Sequence, residues 1–321
     1  MLHSAFSKTS MEAWNATLLE HGINVASLEA TFHELNSLAF LAPYWQAMLD
    51  NYSEFVIVSV FTFILHEALY FGLWLPYLAL DYIPYFAKYK IQPTKPNNWV
   101  DTSRCLKGLL FNHVVVQLPM ILCSDFGLRL LGFSAAMPLP KATTIAWQCL
   151  VSFILEDFYF YWIHRFLHWK KIYKYVHKVH HEYAAPFGIA AEYAHPIETM
   201  FLGIGTFLGP LLLTRHLLTL WVWLAVRLYE TVDDHSGYEL PFALSAYIPF
   251  WGGPVHHDFH HEKFDGNYSS VFTIWDYVFG TDKAFRASQR EKREKGSSQW
   301  SDFFDKVFGR STTSTTKAKV A

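Results

Sequence analysis

The chain has 321 residues, of which 52% are apolar, 18% aromatic and only 17% charged, and its net charge is −2. That balance offers no electrostatic basis for binding nucleic acid, and it leans away from an ordinary soluble globule toward a membrane protein. Three cysteines, Cys105, Cys123 and Cys149, with no Cys-x-x-Cys pair, cannot build a disulfide framework.

Residues 1–53 read as an N-terminal lead-in that lies on the membrane surface. It lacks a basic start followed by an apolar stretch, so no cleavable signal peptide is expected. Apolar blocks follow at Glu54–Phe86, Gly108–Phe133, Thr143–Ile163 and Thr199–Leu228. The first exceeds the roughly 30 Å hydrocarbon thickness at about 1.5 Å per residue, and Pro76 and Pro84 allow one span plus a turn, or a hairpin. The blocks predict about four transmembrane helices. The loop after the first block carries Lys88, Lys90, Lys95, Arg104 and Lys107, and Arg165–Lys178 after the third is also basic. Excess Lys and Arg marks cytosolic loops, so both are expected on the cytosolic side. Residues 283–321 form a polar, mixed-charge and then Ser/Thr-rich tail, expected to be solvated and disordered. The fold expectation is an all-α integral membrane bundle over 54–282 with a cytosolic, histidine-rich helical cap.

Of 17 histidines, twelve fall between His164 and His261. Nine of them form three clusters: His164 with His168; His177 with His180 and His181; and His256, His257, His260 and His261. Spacings of three and four share one face of a helix, so each cluster offers two or three imidazoles from one rigid element. Two neighbouring metal ions need eight or more ligands, and imidazole suits iron well. The candidate ligands are therefore His164, His168, His177, His180, His181, His257, His260 and His261, with His195 and His235 completing the set. His256 is surplus to the third cluster. The abundance of imidazoles without thiolates favours a pair of irons over a four-ligand zinc site, and no His-Glu-x-x-His is present. No catalytic residue beyond the metal ligands, and no organic cofactor-binding motif, is expected. The isolated His66, His113 and His216 read as hydrogen-bonded core residues, and Asp157 as either a carboxylate behind His164 or helix-end polarity.

These clusters resemble the histidine boxes of the fatty acid hydroxylase/sterol desaturase superfamily, and their flanks are similar to its C-4 methylsterol oxidases. The residues carrying the likeness are Ile172-Tyr-Lys-Tyr-Val-His-Lys-Val-His-His-Glu182, Ala185-Pro-Phe-Gly188 and Ala191-Glu-Tyr-Ala-His-Pro196. It continues through Glu230-Thr-Val-Asp-Asp-His-Ser-Gly-Tyr238, His256-His-Asp-Phe-His-His261, Gly266-Asn-Tyr268 and Phe279-Gly-Thr-Asp282. The resemblance implies a non-haem di-iron monooxygenase of the endoplasmic reticulum membrane, with its histidines facing the cytosol. Its implied substrate is a 4-methylsterol, whose 4α-methyl group is oxidised with O2 in sterol biosynthesis. Electrons would come from NAD(P)H through a reductase and a cytochrome b5-type donor, and other sterol C-4 demethylation enzymes are implied neighbours. Lys317-Ala-Lys-Val-Ala321 resembles a retrieval signal for that compartment. Competing expectations are a sterol C-5 desaturase, a fatty acyl hydroxylase or an aldehyde-forming wax enzyme with the same metal chemistry, and a non-enzymatic membrane metal-binding or transport protein.

Overall fold

The computed structural model describes residue 19 and residues 24–294. Most of the lead-in before residue 24 and the tail from residue 295 onward, with its retrieval-like end, lie outside the described residues. The described part is helical, with only isolated bridges and no strand.

Helix α1 (Val25–Ser37) starts at Asn24, whose side chain accepts the Ser27 backbone N–H, and α2 (Ala42–Asn51) follows with proline in its first turn. Next come two long apolar helices, α3 (Val56–Asp81) and α4 (Trp99–Leu130). Each contains a π-helical stretch, Val56–Phe61 in α3 and His113–Gln117 in α4. Asn98 caps α4 by accepting the Asp101 N–H at 2.8 Å. Helix α5 (Ala142–Leu167) delivers the first histidines at its C-terminal end. Helices α6 (Pro196–Leu213) and α7 (Leu217–Asp234) follow in succession, and α8 (Gly253–Lys263), α9 (Ile274–Phe279) and α10 (Lys283–Glu294) build the cap.

Among the described residues three helices, α3, α4 and α6, are long and apolar enough to cross a membrane, where four blocks suggested four spans. Two physical reasons account for the difference. The third block became α5, which buries Gln148, Ser152, Glu156 and Asp157 on one face and is less apolar than those three, although Trp147, Leu150, Ile154 and Phe158 remain exposed. The fourth block breaks at Thr214–His216 into α6 and α7, and the last turns of α7 bury Arg227, Glu230, Asp233 and Asp234. The first block is one span followed by a 3-10 turn over Pro84–Tyr89, not a hairpin. Outward-facing Ile64, Leu75, Leu110, Phe111, Val114 and Met120 leave α3 and α4 with exposed apolar faces, as lipid contact requires.

Between lipid-bathed helices there is little hydrophobic drive to associate, so close backbone approach matters. Helix α5 packs on α6 over more of its length than any other pair. Gly205 and Gly209, one turn apart on α6, make that possible: a Cβ built on Gly205 would fall 2.5 Å from the Tyr159 ring, and one on Gly209 2.5 Å from the Ser152 Cα. Helix α7 packs on α3 with Leu217, Leu220, Trp223 and Leu224 in one apolar cluster that also takes Ile57, Val58, Cys149 and Phe153. A second cluster, with Tyr70, Trp74, Leu109, Ile189 and Val232, lies at the cap end of α3 and α4.

The basic loop after α3 is folded onto the cap. Gln92 donates to the Ala184 carbonyl and to Asp258, both at 2.8 Å, and the Ile91 N–H donates to the Gly237 carbonyl. Lys90 pairs with Asp81 at 2.7 Å. The loop and the histidine-bearing segments therefore share one end of the molecule.

Polar groups inside such a bundle must be paired. Asp157 accepts the N–H groups of Ser270, Val271 and Phe272 at 2.8–3.0 Å, tying the segment after α8 to α5. It therefore anchors backbone and touches no imidazole. Arg227 bridges Glu156 at 2.6 Å and Glu230, and donates to Ser270 at 3.1 Å. Removing one member of a buried pair leaves the other charged and unpaired, at roughly 3–5 kcal/mol. Arg227→Met is accordingly expected to lower thermal stability in detergent by several kcal/mol, with partial recovery when Glu156→Gln is added. An unchanged unfolding midpoint would remove this network from the account of stability.

Candidate metal centre

His164 projects from the last turn of α5, and His168 is the C-cap residue of the same helix. The second cluster does not sit on an α-helix. After a single turn at Lys170–Tyr173 the chain runs through turns into a 3-10 segment at His180–Glu182. His235 caps the C-terminus of α7, and His257, His260 and His261 lie on α8.

These elements bring nine imidazoles into two adjoining groups: His164, His168, His177, His181 and His260 in one, and His180, His235, His257 and His261 in the other. Within each group one ligand-capable atom per residue lies within 4.8 Å of all the others. Contributions cross over. The second cluster gives His177 and His181 to the first group and His180 to the second, while α8 gives His260 to the first and His257 and His261 to the second.

The rings are turned by their outer nitrogens. Nδ1 of His164 faces the Tyr268 carbonyl at 2.8 Å, that of His260 the Gly266 carbonyl at 2.7 Å, and that of His235 the Thr231 carbonyl at 2.8 Å. His180 and His261 make the same contact with Tyr193 and Tyr183, at 3.2 and 3.1 Å. His177 instead faces the carboxylate of Glu198, in the first turn of α6, at 2.7 Å. A carbonyl or carboxylate can only accept, so each of these Nδ1 atoms carries the proton and each Nε2 has a free lone pair. Burial reinforces that state by disfavouring charge: it pushes His168 and His177 down to about 3 and His180 to about 4.

In the first group the Nε2 atoms of His164 and His177 are 3.0 Å apart, those of His177 and His181 3.1 Å, those of His181 and His260 3.1 Å, and those of His168 and His260 3.2 Å. In the second, His257 and His235 are 3.0 Å apart and His235 and His180 3.3 Å. Unprotonated nitrogens facing one another repel unless a cation lies between them. Metal–nitrogen bonds of about 2.1 Å at right angles place neighbouring donors about 3.0 Å apart. The donor sets fit two metal ions with imidazole ligands.

His195 stands apart from both groups. It is the N-cap of α6, where its Nδ1 accepts the Ile197 N–H at 3.2 Å. His256 faces Asp276 at 3.5 Å, away from both groups. His216 caps α7 and contacts the Ala136 carbonyl at 3.1 Å, as a core histidine should. Two features were not singled out from sequence: the pairing of Glu198 with His177, and the meeting of His66 and His113 with Glu67 and Glu192. Adjacent ionisable residues in an otherwise apolar span, His66-Glu67, were the available signal for the latter.

A cavity of about 510 Å³ opens beside the imidazoles. His164, His177, His180, His235 and His257 form its polar end, while Met120, Ile121, Leu128, Phe160, Phe207 and Leu224 line its apolar walls. That size and lining suit a rigid apolar molecule brought against the two groups.

The sequence profile described as fatty acid hydroxylase matches residues 149–281, which contain both histidine groups. A Dictyostelium discoideum protein carrying the name methylsterol monooxygenase is 50% identical over 263 residues, 82% of this chain and 98% of its own. Methylsterol monooxygenase 1 of Rattus norvegicus is 46% identical, over 78% of this chain and 86% of its own. A protein of Oryza sativa subsp. indica named very-long-chain aldehyde decarbonylase is 45% identical, over 78% of this chain and 96% of its own. No solved structure matches the chain. With such identity across nearly the full length of its relatives, and the profile lying over both histidine groups, the chain belongs to the fatty acid hydroxylase family.

Proposed function

We propose that the chain is a membrane-embedded C-4 methylsterol monooxygenase that oxidises the 4α-methyl group of sterol intermediates with O2. The observation that carries this reading is the pair of converging Nε2 sets at the polar end of an apolar cavity, in a chain 46–50% identical to proteins named as methylsterol monooxygenases. The metal ligands we infer are the nine imidazoles of the two groups, with two non-haem iron ions as the metals. His195 remains a proposed tenth contributor, as a residue beside the centre. Bound iron would supply O2 activation and hydrogen abstraction from an unactivated methyl group.

The chain's own residues do the rest. The carbonyls behind His164, His180, His235, His260 and His261 hold the donor nitrogens inward before any metal arrives, which lowers the ordering required on loading. Glu198 gives His177 a stronger partner and raises the basicity of that ring. Aliphatic and aromatic walls take up the ring system of the substrate and exclude water from the reacting end. Electrons are proposed to come from NAD(P)H through a reductase and a cytochrome b5-type donor. The basic loop that clasps the cap supports a cytosolic orientation for the histidines, and the sterol chemistry supports an endoplasmic reticulum membrane.

A second reading is favoured by one observation, the 45% identity to proteins named as very-long-chain aldehyde decarbonylases. A single assay separates the two. Purified, iron-loaded protein with a reducing system is offered a 4,4-dimethylsterol and, separately, a long-chain aldehyde. Oxygenated 4-methyl products are expected from the first and no alkane from the second; the reverse pattern would overturn the sterol assignment.

Alanine at His260 removes a donor from the first group and alanine at His180 one from the second. Each is expected to abolish sterol oxidation while the protein still inserts and purifies as a single species. Wild-type turnover in both would refute the ligand assignment. Glu198→Gln keeps the shape but loses the charge behind His177, and should weaken metal retention roughly 10–100-fold. Metal content after graded chelator treatment reads this directly.

A further inference from the structure

Four ionisable side chains meet within the helices, apart from the nine imidazoles. His66 and Glu67 come from α3, His113 from α4, and Glu192 from the segment before α6. The His66 Nδ1 lies 3.0 Å from Glu67 Oε1, and the His113 Nδ1 lies 2.9 and 3.1 Å from the two Glu67 oxygens. On the other side, His66 Nε2 is 3.2 Å from one Glu192 oxygen and His113 Nε2 is 3.0 Å from the other. Gln117 donates to Glu192 at 2.9 Å. One carboxylate thus holds both outer nitrogens, and both inner nitrogens converge on the second.

Ionisable residues inside a membrane bundle are expensive and persist where they serve a site. Two neutral imidazoles with two carboxylates leave a net charge of −2, which two added protons or one divalent cation would neutralise. The geometry separates these. His113 is fully buried, and its Nε2 is left without a regular hydrogen bond although a Glu192 oxygen lies 3.0 Å away. A shared proton requires near-linearity, whereas an ion seated between donor and carboxylate does not. His113 also opens the π-helical stretch of α4, a local irregularity often found where a helix aims a functional side chain.

We propose that His66, His113 and Glu192 form a separate mononuclear site for a first-row divalent cation, with Glu67 as the carboxylate that orients both imidazoles. Two imidazoles and one carboxylate form a recognised donor set for such ions. One donor atom from each of the three lies within 4.8 Å of the others. His66, Gln117 and Glu192 also line the cavity that five of the nine imidazoles line, so an ion held here would sit at its wall. The proposal goes beyond the oxygenase reading and does not depend on which lipid is oxidised.

The test uses full-length, tag-free protein in detergent, stripped by chelator and titrated with Co2+ alone, with bound metal counted and the visible d–d absorption recorded. Wild type is expected to bind three equivalents per chain, and His66→Asn and His113→Asn two each, with loss of one component of the spectrum. The wild-type count is decisive by itself, because two equivalents or fewer overturns the proposal whatever the variants do. Three equivalents in wild type and in both variants would also overturn it, by locating the additional ion elsewhere.

Discussion

A hydrogen bond that looks incidental governs the whole centre: the contact from an outer imidazole nitrogen to a fixed acceptor. Five rings rest on backbone carbonyls and a sixth on Glu198, and each contact fixes at once the tautomer and the direction of the remaining lone pair. Backbone carbonyls move only if the backbone moves, so the centre inherits its rigidity from the cap. The cap in turn is anchored by carboxylates that hold backbone N–H groups. Asp157 takes three of them from the segment at 270–272, and Asp276 takes those of Tyr268 and Ser269 at 2.8 Å. The Tyr268 carbonyl that orients His164 therefore depends on a carboxylate that touches none of the nine rings.

How much of this could be read from sequence varied with the kind of interaction. The clusters were legible because ligand identity is written in residue type, and spacing is local. Their distribution was not. His177, His180 and His181 suggested a helix that would point three rings one way, yet they occupy turns and a 3-10 segment that send them to two groups. Nothing local distinguishes these conformations when the deciding partners, Glu198 and the Tyr193 carbonyl, arrive from a later part of the chain. His195 shows the opposite case. It sits beside the resemblance motif, but the need for an acceptor at the start of α6 turns its ring to the Ile197 N–H.

The helices teach a similar lesson. Hydropathy counts apolar residues without knowing which face they occupy, so α5 was read as a span, and α6 with most of α7 as a single one. The buried polar residues of α5 and α7 bind each other, Arg227 with Glu156 and Glu230. The feature that does locate lipid is the exposure of apolar side chains along the outer faces of helices such as α3, α4 and α5. The division of labour is physical: lipid-facing helices supply the walls, and interior faces tolerate charge because partners are close at hand.

The crossing-over of the second cluster has a further implication. Donors for the two groups alternate along five residues, His177 to one, His180 to the other and His181 back to the first. Inserting or deleting a single residue there would exchange rings between the two groups and change the number of donors in each. The length of this stretch is therefore under the same constraint as the identity of its histidines, and neither group of imidazoles can change in isolation from the other.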